Sequence, residues 1–188
     1  MNLLIVGVVL FSVAHFVPAV ATGFRSGLVN SLGEYGFKAL LGLFMLAAVV
    51  LMVMGWKGAS EAMLYQAPAW GDKATLLSML IVSALFFAPY IENNIRRRIR
   101  HPQLVGVILF GAGHLLASGS TRGVVLFGGF TLWAIIEIVL LNRRDGAWER
   151  PAAVGHKGDF KLLLTGLGFF LIFLFTHENL FGVSPVPG

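Results

Sequence analysis

Long apolar runs decide what this chain can become. Six of them, at residues 2–21, 37–56, 75–91, 103–118, 123–141 and 161–180, carry almost no charge. A helix crossing a bilayer needs about 20 mostly apolar residues, so each run is read as one span. Together they leave no stretch long enough for a water-soluble domain. Charged residues make up 12% of the chain, against about 25% in ordinary soluble domains, and mean hydropathy is +0.82. The expectation is an all-α polytopic membrane protein: a six-transmembrane-helix bundle forming one domain over 1–188. This composition excludes a soluble enzyme, a disordered tail and a nucleic-acid-binding domain. No cysteine is present, which excludes disulfides, iron–sulfur clusters, a thiol nucleophile and thioether-linked haem. No internal repeat or low-complexity segment is evident.

Orientation follows from Lys and Arg in the connections. One side collects Arg25 and Lys38, then Arg96, Arg97, Arg98 and Arg100, then Arg143, Arg144, Arg150, Lys157 and Lys161. The other side has Lys57, Lys73 and Arg122. Eleven against three places both termini in the periplasm. Ala19-Val20-Ala21 resembles a signal-peptidase site, but no basic residue precedes Arg25, so the first run is expected to stay as a span.

Ionisable groups inside a bilayer are costly and mark function by default. His15 lies in the first run, His114 in the fourth, Glu137 in the fifth, and His177-Glu178 closes the sixth. His15 is about 9 Å from the inner end of its span and His114 about 16 Å, at 1.5 Å per residue. Small residues share their faces at helical spacing: Gly7, Ser12 and Ala19 with His15, and Gly106, Gly111, Ala117 and Ser118 with His114. A slot beside imidazoles suits haem b, which needs axial ligands and room for a plane. The alternative is structural. Small residues let helices approach, and each histidine bonds a neighbouring carbonyl. Pro18 has no N–H to give the Ala14 carbonyl. Glu137 is expected to pair with the basic cluster of Arg96, Arg97, Arg98, Arg100 and His101. That cluster sets topology, touches lipid headgroups, or holds an acidic group such as a haem propionate. The phenylalanines of the sixth run read as lipid contact or packing. His156 reads as a solvated loop residue.

Three motifs then point to a family. They are Arg100-His101-Pro102-Gln103-Leu104-Val105-Gly106 leading to His114-Leu115-Leu116-Ala117-Ser118-Gly119; Leu126-Phe127-Gly128-Gly129-Phe130 with Trp133; and the ending His177-Glu178-Asn179-Leu180-Phe181-Gly182-Val183-Ser184-Pro185. The chain resembles the NnrU family of bacterial inner-membrane proteins, associated with denitrification, over nearly its whole length. That family is similar to cis-zeta-carotene isomerase, an integral membrane haem b enzyme acting on a polyene. The resemblance implies His15 and His114 as metal ligands and catalytic groups, with Gly106, Gly111, Arg100 and His101 around the cofactor. It implies a hydrophobic polyene or a respiratory complex as partner, besides membrane lipid. Gly111 stands where the isomerase has a cysteine. Bis-histidine ligation is compatible with that change, whereas a thiolate switch is not. The alternatives are a cofactor-free accessory protein of nitrite and nitric oxide respiration, and a membrane S-adenosylmethionine methyltransferase, which shares the Arg-His-Pro entry. The acidic pair of such methyltransferases has no counterpart among Asp145 and Glu149. Glu137 and His177 remain further candidates.

Overall fold

A computed structural model describes residues 1–186 of the chain. Six helices dominate: α1 (Asn2–Val20), α2 (Thr22–Gly58), α3 (Gly71–Phe87), α4 (Pro102–Ala117), α5 (Thr121–Asp145) and α6 (His156–Phe181). A 3-10 turn covers Ile95–Arg97, and an isolated bridge joins Met63 to Ser120. Among the described residues there is no strand.

Each apolar run contains one helix, but length separates them. Helices α1, α2, α5 and α6 are long and apolar enough to cross a membrane. Helices α3 and α4, with 17 and 16 residues, reach only about 25 Å at 1.5 Å per residue, short of a ~30 Å hydrocarbon core. The six-span count is therefore not carried by helix length alone. The reason is local. Helix α3 was expected to reach residue 91 but stops at Phe87, ahead of Pro89, which has no N–H to continue the ladder. Asn93, 3% exposed, then caps the end: its side-chain amide donates to the carbonyls of Ala88 and Ile91 at 2.7 and 2.6 Å. Helix α2 departs the other way, starting at Thr22 where a connection was expected to run to residue 36. Gly33 interrupts it with φ 74° and ψ 166°, a conformation open to glycine without steric cost. Ion pairs from Arg25 (3.3 Å) and Lys38 (3.4 Å) to Glu34 follow directly after that break.

Contacts divide the chain into two compact units: Met1–Tyr65 with Ser120–Gly146, and Gln66–Gly119 with Ala147–Gly188. In the first, α1 packs against both α2 and α5 around Leu4, Val8 and Met52. Close approach depends on missing side chains. A Cβ on Gly7 would meet the Met52 backbone nitrogen at 2.8 Å and the Ala48 carbonyl at 2.9 Å, and one on Gly55 would strike the Leu4 backbone. These contacts run antiparallel. Along α1 and α5 the contacts run parallel: Val8 meets Gly129, Phe11 meets Phe130 and Trp133, and Arg144 donates to the Pro18 carbonyl at 3.1 Å.

In the second unit, α3 packs antiparallel to α4. Thr75 Oγ1 donates to the Gly113 carbonyl at 2.6 Å, and Gln103 Nε2 to the Phe86 carbonyl at 3.0 Å. Helix α6 lies along α3 through Gly166 against Ala84 and Phe169 against Phe87. Asn94 fastens the basic end: its backbone and side-chain N–H groups both donate to the Asp159 carboxylate at 2.7 Å. Around both units the outward surface is apolar, with Leu43 64% and Phe175 76% exposed. A surface of that kind is at home against lipid.

Candidate histidine site

The two half-buried histidines sit on the same local device. In α1 it is Gly7-Val8-Val9-Leu10-Phe11-Ser12-Val13-Ala14-His15; in α4 it is Gly106-Val107-Ile108-Leu109-Phe110-Gly111-Ala112-Gly113-His114. Gly, Val, Leu, Phe and His coincide at five of the nine positions. Each imidazole turns back on its own helix. His15 Nδ1 lies 2.9 Å from the Phe11 carbonyl, and His114 Nδ1 lies 2.8 Å from the Phe110 carbonyl. A carbonyl only accepts, so both rings carry their proton on Nδ1 and a lone pair on Nε2. The phenylalanine rings touch them in matching ways, with centroids 4.2 and 4.3 Å away and planes inclined by 41° and 47°. The repeated segment corrects the reading that no internal repeat exists. A third copy, Gly123-Val124-Val125-Leu126-Phe127, opens α5, with Thr131 where the histidine would be. Thr131 Oγ1 makes the equivalent bond to the Phe127 carbonyl, at 2.8 Å.

The slot expected from the small residues is only partly there. Gly7 is filled by α2, as above. Gly106 faces α3, where an added Cβ would meet Leu85 at 3.3 Å and Phe86 at 3.5 Å. Both glycines serve helix approach, the structural alternative named for them. Gly111 is buried on α4.

His15 also touches Trp133 of α5, ring centroids 4.6 Å apart. One turn on, Glu137 is 6% exposed, and its Oε2 has no hydrogen-bond partner among the described residues. The cation acting on it is Arg144 of its own helix, whose guanidinium bonds Asp145 at 2.6 Å. Arg100 and His101 stand half-buried at the start of α4. His101 has φ −123° and ψ 70°, outside the α region as the following proline demands, and its carbonyl accepts from Val105 at 3.0 Å. The pair therefore starts the helix, whatever else it does. His177 Nδ1 donates to the Val183 carbonyl at 2.7 Å, because Gly182 (φ 74°) folds the chain back. Among the described residues no three His, Asp or Glu side chains converge on a metal position. Axial ligation of a porphyrin iron needs two side chains, not three.

A family model described as NnrU protein matches residues 3–185. The chain belongs to the NnrU family. Its membership, inferred from the His-Pro and C-terminal motifs, extends over nearly the whole sequence. No curated protein and no solved structure matches it. Within this NnrU chain, sequence reading located His15 and His114 but missed their shared segment. Aligning the chain with itself at a shift of 99 residues would have found it.

Proposed function

We propose that this NnrU-family chain is a haem b-binding protein of the bacterial inner membrane, with six helical crossings, both termini periplasmic, and His15 and His114 as axial ligands. One observation carries the reading: the repeated segment gives both histidines the same Nδ1–H bond to the phenylalanine carbonyl four residues back. That bond fixes the tautomer with Nε2 as the lone-pair nitrogen, holds the ring's direction, and makes it a better donor to iron. The donor set therefore fits haem, while Gly7 and Gly106 supply helix approach instead of space for it.

The haem would supply one-electron transfer. His15 and His114 would hold it, and Gly111 in the cysteine's place offers no thiolate to displace either imidazole. This favours a redox role in support of nitrogen-oxide respiration over polyene isomerisation. The chain's own contribution is to exclude water through apolar helices and to hold each ring against its phenylalanine. The orientation is supported within each unit. Arg25 and Arg144 lie at one end of the first, and Arg97 and Lys157 at one end of the second.

The test is an absorption spectrum of the purified protein, made with adequate haem supply, before and after dithionite. A Soret band that moves on reduction is expected in the wild type. His15→Ala and His114→Ala should each lose or shift it, and His156→Ala should leave it in place. A folded, colourless wild type would overturn the reading.

A further inference from the structure

Helix α5 carries two buried polar atoms without partners, one turn apart. Trp133 Nε1 and Glu137 Oε2 make no hydrogen bond among the described residues, and each residue is 6% exposed. Positions i and i+4 share a helix face. That face is turned to α1, since the Trp133 ring lies 4.6 Å from His15 and 5.0 Å from Phe11. Native proteins leave few such atoms unsatisfied, and each one calls for a physical reason.

The two atoms are complementary. The indole N–H only donates, and a carboxylate oxygen only accepts. A bare carbonyl could take the N–H but would offer an ionised Glu137 nothing, and would serve both groups only with the carboxyl protonated. An ammonium could bond Glu137 but could not accept from Trp133. A hydroxyl does both through one oxygen, and it still serves if the carboxyl is protonated, by accepting from both groups. We propose that Trp133 and Glu137 together bind a hydroxyl group on the α1 side of α5, supplied by water or by an apolar alcohol. Both atoms are sealed from bulk solvent, so the hydroxyl enters as Glu137 turns about its three side-chain bonds. The indole N–H lies in the ring plane, so the ring edge takes the hydroxyl while the ring system keeps its contacts with His15 and Phe11.

The inference is independent of the haem reading, because neither probe below uses haem. Ultraviolet resonance Raman reports whether an indole N–H is hydrogen-bonded, and subtracting the Trp133→Phe spectrum isolates Trp133 from the other three tryptophans. The wild type is expected to show a bonded N–H, Glu137→Gln to retain it, and Glu137→Leu to shift it to the free-indole position. Infrared difference spectra of wild type minus Glu137→Leu, in ordinary and oxygen-18 water, separate the sources. An O–H stretch that shifts with the isotope is water, and one that does not is an alcohol carried from the membrane. If Glu137→Leu does not fold, Trp133→Phe must remove the same O–H band. A free indole N–H in the wild type, a bonded one that Glu137→Leu leaves unchanged, or an O–H band that survives Trp133→Phe would overturn the proposal.

Discussion

His15, His114 and Thr131 occupy the same place in three copies of one short segment, and all three bond the phenylalanine carbonyl four residues back. In a membrane helix this bond gives a polar side chain an internal partner where no water is available. The threonine has only that one oxygen, whereas an imidazole has two ring nitrogens. Glycines divide in a similar way. Gly55 faces the Leu4 backbone, but a Cβ on Gly42 would meet nothing within 4 Å. Gly55→Ala should lower stability by about 1–3 kcal/mol, because backbone cannot move aside as a side chain can. Gly42→Ala should be neutral or raise stability by up to about 1 kcal/mol through helix propensity. Unfolding of both variants in detergent, followed by circular dichroism, checks the contrast. Equal losses would show that the α1–α2 contact is looser than described. Thr75→Val should cost about 0.5–1.5 kcal/mol in the same assay, since it loses the 2.6 Å bond to Gly113.

At the scale of elements, α5 owes its facing to a π-helical turn at Val124–Gly128. Such a turn inserts one residue, which rotates everything after it by about 100° relative to a regular helix. Phe130, Trp133 and Glu137 all follow it, and all lie on the face toward α1. Deleting Gly128 should restore a regular helix and swing them away. The cysteine-free chain makes this easy to read. Phe11→Cys with Phe130→Cys, whose parent rings touch, should be joined by a short bifunctional thiol reagent in the otherwise native chain. The cross-link should be lost when Gly128 is also deleted; its persistence would show that the turn does not set the face. Helices α3 and α4 show the opposite economy. Both are short, and their ends are finished by side chains and turns, as Asn93 does for α3.

Within each unit, consecutive packed helices run in opposite directions. Helix α1 is antiparallel to α2 and parallel to α5, and α3 is antiparallel to α4. With eleven of the fourteen Lys and Arg residues assigned to one side, alkaline phosphatase fused at the C-terminus should be active, and fused near residue 98 inactive. The reverse pattern would overturn the orientation.

The residues alone determined the helical class, one helix in each apolar run, and the family. Those features depend on composition, on period and on local motifs, which need no partner to be read. Tertiary structure decided the rest. It showed that Gly7 and Gly106 admit neighbouring helices, because a missing Cβ has meaning only once its neighbour is known. It placed Glu137 one turn from an unpartnered indole, because a π turn sets the facing of α5 and no hydrophobic pattern records it. It also gave the repeated segment its significance. Five matches in nine residues are a coincidence until both imidazoles are seen to make the same bond, and that bond depends on the position of a backbone carbonyl that the sequence does not display.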